Sequence, residues 1–439
     1  MKPHSQKRQI LVSLRSKKIR KIHTPAGSAL RPGAMLGIAS AQGSVLIPDN
    51  SPTTWIRHHL FLLGYEKVRL YAYQKLSPLT VQNGGGFIKT VVADLSSFVK
   101  TECARGGELF QRISNSFPIF EKTQIPDSKR FFMSLGIMML RGNETDVRLL
   151  TDELLHSYMK NIKGTCSLQT SPIGHDERQV LKIASTYYRS CNINYRQLYD
   201  PKTGPRSIQI GDHSFSIDLP PLPQITSKQL LARALLHKEL HPALTQPGHA
   251  VYEKLAQSKI TCQSATTRVI RHDLSFLDGL GDLLIASESC SFLYRFRSSH
   301  PYSNDPSFGK KTFMLLRNIL GTNTLLSRLA TCYNLHLALD DPKVSSLLRK
   351  SYIPYTYCAI RGADRAQTAY EEEFLADYFE QYVGALFLHS PEVAKQWLAI
   401  LFERILLSIS DVYRISHKRR KVYQFDYRAW SVDVIGRCL

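Results

Sequence analysis

Four acidic residues stand where acids are costly. Asp278 and Asp282 fall within Leu274–Ala286 (LSFLDGLGDLLIA), and Asp377 and Glu380 fall within Phe374–Leu388 (FLADYFEQYVGALFL). Residues three or four apart on a helix share a face, so each pair projects to one side. Both segments are apolar almost all round, the pattern of a buried helix. Burying like-charged carboxylates is costly unless they are protonated, paired or bound to a metal. Neither segment contains a Lys or Arg to pair with them. Four carboxylates from two helices can cradle a hard divalent cation, and Mg2+, or alternatively Mn2+, prefers such oxygen ligands. The plainer alternative is two unrelated buried helices with acids at their exposed edges.

Gly279, Gly281 and Gly384 lie in the same segments. A glycine inside a helix costs about 1 kcal/mol relative to alanine. Close approach of two helices would supply the reason, and would bring the carboxylates together.

The elements that must position these residues are nearly all helical, so the expected fold class is mainly α. After the extended stretch Asp218-Leu219-Pro220-Pro221-Leu222-Pro223, periodicity predicts helices over Ser227–His237, Gly248–Gln257, Leu274–Phe296, Lys311–Ile319, Thr324–Tyr333, Tyr370–Leu388 and Pro391–Tyr413. Prolines fix φ and restrict the preceding residue, so 218–225 reads as a stiff linker. Before it, residues 51–217 read as a separate unit with helices over Trp55–Leu70, Phe87–Lys100, Arg130–Leu140, Asp146–Ile162 and Glu177–Arg189. A small hairpin is expected over Ser207–Ile217 around Gly211-Asp212. This unit shows no chemical motif and no internal repeat, and a scaffold or dimerisation role is its default. The expected order is therefore a basic leader (1–50), a helical N-terminal domain (51–217), the linker (218–225), an all-helical domain (226–413) and a basic tail (414–439).

Composition narrows the function. The 439 residues carry 57 Lys+Arg against 36 Asp+Glu, a formal charge of +21. Such an excess points to a polyanion, either nucleic acid or an anionic membrane. No apolar run reaches the roughly 18–20 residues that span a bilayer, and no sustained basic amphipathic helix is present to lie on an anionic surface, so no membrane partner is expected. The eight cysteines are scattered without a CxxC, which argues against zinc and for reduced thiols. Asp49 is the first acidic residue, after nine basic ones. An acid-free leader of this kind fits a nuclear-import or nucleic-acid-binding arm, with a mitochondrial transit peptide as the alternative. The tail bears Lys418-Arg419-Arg420-Lys421, with Tyr423, Tyr427 and Trp430 nearby. This cluster is a weak candidate for RNA contact, and a solvated basic tail is the ordinary alternative.

The two acidic segments resemble the signature helices of the ribonuclease III family. Ser275 to Asp282 occupies the stretch where the family reads Glu-Arg-Leu-Glu-Phe-Leu-Gly-Asp. Asp377 to Ala385 is similar to its Asp-x-Phe-Glu-Ala-x-x-Gly-Ala. Leu236-His237-Lys238 resembles the Thr-His-Lys that opens the family domain, and Arg317 to Leu325 resembles its connecting helices. The Pro-rich stretch is similar to the approach to the domain in fungal nuclear and budding-yeast Dicer-like members. The likeness covers residues 219–413. It implies Mg2+-dependent endonucleolytic cleavage of double-stranded RNA by a homodimer, leaving 5′-phosphate and 3′-hydroxyl ends. By the same resemblance, Asp278, Asp282, Asp377 and Glu380 are the metal-binding carboxylates, with Asp282 and Glu380 central to catalysis.

There are departures. Ser275 stands where the family has an acid, Gly279 where it has Phe, and His272-Asp273 fits its His-Asn-Glu only with a one-residue slip. No double-stranded RNA-binding domain is expected after residue 413. The second functional reading is therefore a catalytically degenerate, RNA-binding structural relative, such as a mitochondrial ribosomal or assembly component.

Overall fold

A computed structural model describes residues 54–116, 125–161, 168–199, 206–210, 213–261, 263–299, 310–358 and 365–417. The leader 1–50 and the tail cluster Lys418, Arg419, Arg420 and Lys421 lie outside the described residues.

The fold is mainly α. The first half comprises α1 (Thr54–Lys75), α2 (Thr80–Asn83), α3 (Gly85–Ala104), α4 (Glu108–Ser116), α5 (Asp127–Leu140), α6 (Glu144–Asn161), α7 (His175–Ser190) and α8 (Tyr195–Tyr199). A two-stranded antiparallel hairpin follows, β1 (Arg206–Ile210) and β2 (His213–Ile217), with Ile208 opposite Phe215. The second half comprises α9 (Lys228–Leu235), α10 (His241–Leu244), α11 (Ala250–Gln257), α12 (Ser264–Ser299), α13 (Lys310–Leu320), α14 (Asn323–Cys332), α15 (Pro342–Leu347), α16 (Pro354–Cys358), α17 (Arg365–His389) and α18 (Pro391–His417). Side chains cap several of these helices: Ser227 accepts from the Leu230 amide, and Asp341 from the amides of Lys343 and Val344.

The long helices α12 and α17 form the centre. They cross at two glycines, as their sequence position anticipates. A β-carbon on Gly281 would overlap the Glu380 carbonyl, and one on Gly384 would overlap the Leu277 carbonyl. Only hydrogen fits at either position, so the backbones meet without side chains between them. Around this crossing α14 packs on α17, while α1 and α3 lie against α12.

The residues on either side of 218–225 share one hydrophobic core that runs from Leu62 to Leu406. The Pro-rich stretch has no regular structure, as expected, but it is not a spacer through solvent. Leu222 and Ile225 are buried, the Tyr333 hydroxyl donates to the Pro220 carbonyl at 2.7 Å, and the Tyr382 hydroxyl donates to that of Pro223. It is a strap bound across the shared core. No described helix is long and apolar enough to cross a membrane.

Candidate metal centre

The α12–α17 crossing sets the acids. With Gly281 against Glu380 and Gly384 against Leu277, the carboxylates on the adjoining turns are forced into one small volume. Asp278, Asp377 and Glu380 each present a ligand oxygen within 4.8 Å of the others. Asp377 and Glu380 are buried, and Asp278 is half-buried. Asp282 lies outside this trio: it is the most exposed of the four and is ion-paired with Lys89 of α3.

Each acid has its own electrostatic surroundings. Burial pushes the Asp377 carboxyl up, but Lys238 and His237 outweigh it and hold the group below the usual carboxylate range. Lys238 Nζ lies 2.7 Å from Asp278 Oδ2 and 2.7 Å from Asp377 Oδ2, bridging the two helices. Burial would depress the Lys238 ammonium, yet Asp278 and Asp377 raise it above the ordinary lysine value. Burial pushes Glu380 well above the usual range, reinforced by the charges of Asp282 and Asp278. Lys89 follows the pattern of Lys238: burial opposes its charge, and Asp282 followed by Glu380 and Asp278 favour it. Acids packed this closely disfavour one another's ionisation unless positive charge is brought in.

His237 orients Asp377. Its Nδ1 accepts the Glu239 amide at 3.1 Å, capping the short turn 238–240, which leaves Nε2–H to donate to Asp377 Oδ2 at 3.2 Å. The ring is almost wholly buried and stacks on Phe374 with centroids 3.7 Å apart. The predicted helix Ser227–His237 therefore ends at Leu235, so that His237 can turn towards the acids.

The cations were hidden from the acidic segments themselves. Lys238 was legible only through the resemblance of Leu236-His237-Lys238 to a family motif. Lys89 has no sequence signal, because a helix from the other half delivers it. Two departures from the family pattern also find a partner there. Ser275 Oγ accepts the Gly85 amide at 2.8 Å, and Tyr73 of α1 fills the space over Gly279.

The donor set suits a hard divalent ion. Asp278 Oδ1 is buried with no hydrogen-bond partner among the described residues, so one oxygen of the trio retains acceptor capacity that a cation could use. No family profile, curated protein or solved structure matches this chain.

Proposed function

We propose that this protein is a Mg2+-dependent endoribonuclease acting on double-stranded RNA and leaving 5′-phosphate and 3′-hydroxyl ends. The observation that carries this reading is the convergence of Asp278, Asp377 and Glu380 within 4.8 Å across a glycine crossing. The likeness of both segments to the ribonuclease III signature helices, and the +21 charge available for phosphates, support it.

Asp278, Asp377 and Glu380 would hold Mg2+, or Mn2+ in its place, with Asp282 available once Lys89 is displaced. The bound ion would supply Lewis-acid polarisation of the scissile phosphate and a water of lowered pKa. The chain's residues do the positioning. The glycine crossing fixes the spacing of the acids. His237 holds the Asp377 carboxylate in one orientation. Lys238 holds Asp278 and Asp377 together across the two helices, and favours the ionised form of Asp377, before any ion arrives.

The second reading, a non-catalytic RNA-binding relative, is favoured by one observation. Lys238 and Lys89 already give three of the four acids an ammonium partner. A cleavage assay on long duplex RNA with Mg2+ separates the two, run beside Glu380→Gln. The nuclease reading expects cutting by the native chain and a loss on the order of a hundredfold or more in the variant, as when a group that stabilises charge in a transition state is removed. Duplex binding with no cutting in either protein would decide for the second reading.

A further inference from the structure

The glycine crossing occurs twice. In the first half α1 and α5 meet at Gly64 and Gly136: a β-carbon on Gly64 would overlap the Phe132 carbonyl, and one on Gly136 the Leu60 carbonyl. In the second half Gly281 meets Glu380 and Gly384 meets Leu277. In both halves, each glycine packs against the carbonyl of the residue one helical turn before the other glycine. The match extends outward. Leu60-x-x-Leu63-Gly64 repeats Leu277-x-x-Leu280-Gly281, and the helix after each crossing follows a short turn, α6 after α5 and α18 after α17.

This correspondence assigns counterparts to the four acids. Counting from the glycines, Asp278 corresponds to Phe61, Asp282 to Tyr65, Asp377 to Lys129 and Glu380 to Phe132. Three of these counterparts converge as the acids do. Phe61 stacks on Tyr65 at 5.8 Å, and Phe132 meets both edge-on, at 5.8 Å from Phe61 and 5.4 Å from Tyr65. Where the second half gathers carboxylates, the first gathers aromatic rings, and no metal ligand is left in that place.

The two crossings face each other through reciprocal contacts. Tyr73 of α1 stacks on Phe276 of α12 at 5.6 Å and donates to its carbonyl, while Tyr294 of α12 stacks on His59 of α1 at 4.8 Å. Phe276 and His59 are themselves counterparts, so α1 and α12 run antiparallel about a local two-fold. Lys67 and Glu288 form a buried ion pair at 2.6 Å near its centre. Later helices of each half also reach across: α3 sends Lys89 from the first half to Asp282, and α13 sends Arg317 from the second half to Glu66. Contacts that run both ways between corresponding helices, though made by residues that differ on the two sides, follow the pattern of a two-subunit interface about a two-fold, here made within one chain.

We propose that residues 54–161 are a degenerate second copy of the unit formed by residues 264–417, and that this copy occupies the face of α12 on which a second chain would dock. The chain is then its own pair, with one acidic site, and the degenerate copy supplies Lys89 to that site across the internal interface. This replaces the homodimer expected from the sequence. The pairing does not depend on the nuclease reading.

The test uses the full chain. Sedimentation over a wide concentration range, with and without Mg2+, is expected to give the mass of one chain, and a stable two-chain mass overturns the proposal. A zero-length carbodiimide cross-linker, applied to an equal mixture of isotopically light and heavy chains, joins ammonium to carboxylate. The Lys89–Asp282 link is expected in the one-chain band with both peptides from the same isotope. Mixed-isotope links, or a link confined to a two-chain band, would show that a second molecule supplies Lys89 and would overturn the proposal. Failure to cut RNA would defeat the nuclease reading and leave both of these results standing.

Discussion

A carboxylate is only as useful as what holds it. Asp377 is positioned by His237, whose Nε2–H reaches it at 3.2 Å while its Nδ1 is committed to the Glu239 amide. Outer partners of this kind typically account for 10- to 100-fold in metal affinity or activity. His237→Ala is expected to weaken Mn2+ binding, followed by titration calorimetry, by that factor, and His237→Gln, which retains a donor, by less. Equal losses in the two variants would show that the ring packs but does not orient. A different chemistry governs His59 and His336, both buried in the core. Burial lowers His59 to about 3 and His336 to about 4, so both are neutral in the folded chain at neutral pH. The unfolded chain takes up a proton at each below about 6.5. Their contribution is therefore intact above pH 6.5 and erodes as the pH falls towards 4, by up to about 1.4 kcal/mol per pH unit per histidine. In urea melts between pH 7 and 4.5, the stability difference between His59→Phe and the native chain should move in favour of the variant as the pH drops. A difference that stays flat would contradict this assignment. The four acids were legible from their placement in apolar segments. Lys89 was not, because a charge in an ordinary amphipathic helix carries no mark of the distant carboxylate it will meet.

At the scale of elements, periodicity located the long helices well. The segment predicted as Leu274–Phe296 is the core of α12, and the one predicted as Tyr370–Leu388 is the body of α17. The extra N-terminal turns of α12 were missed because Thr266, Thr267 and Arg268 interrupt the apolar pattern. The short helices α15 and α16 were missed because five or six residues span too few turns to show a period. The glycines in Leu274–Ala286 and Phe374–Leu388 signalled a close crossing, which the structure contains at Gly281 and Gly384. The composition break at 218–225 misled about packing, since an extended Pro-rich stretch looks alike in sequence whether it lies in solvent or straps a core. The α1–α12 contact contains a buried ion pair, Lys67–Glu288 at 2.6 Å, with both side chains almost wholly covered. Removing one member strands the other in the core, which costs about 3–5 kcal/mol, whereas replacing both by apolar groups of similar size is often neutral or stabilising. Chemical denaturation of Lys67→Met should show a loss of that order, and Lys67→Met/Glu288→Leu should recover most of it. A double variant as unstable as the single one would show that the pair does more than neutralise itself.

On the scale of the whole molecule, an internal copy was not visible in the sequence, because little more than Leu-x-x-Leu-Gly survives in common between the crossings. Packing preserves a glycine contact long after the chemistry around it has changed, so the duplication is legible in carbonyl contacts and not in residue identities. The consequence lies in how many strands are cut. A symmetric pair with two intact sites can sever both strands of a duplex in one encounter. Here the counterpart of the acidic site is the cluster of Phe61, Tyr65 and Phe132, and Lys129 holds the position that corresponds to Asp377. If the nuclease and duplication readings both hold, each encounter makes one scission, and a nicked duplex is the first product. With both strands end-labelled and the duplex in large excess, native gels sampled early should show intact duplex whose strands, once denatured, are cut singly. Broken duplexes should then accumulate only after a lag, because they require a second, independent event. Broken duplexes that appear without a lag, in step with the first cut strands, would mean that two sites act together, and would place a second acidic centre opposite the first.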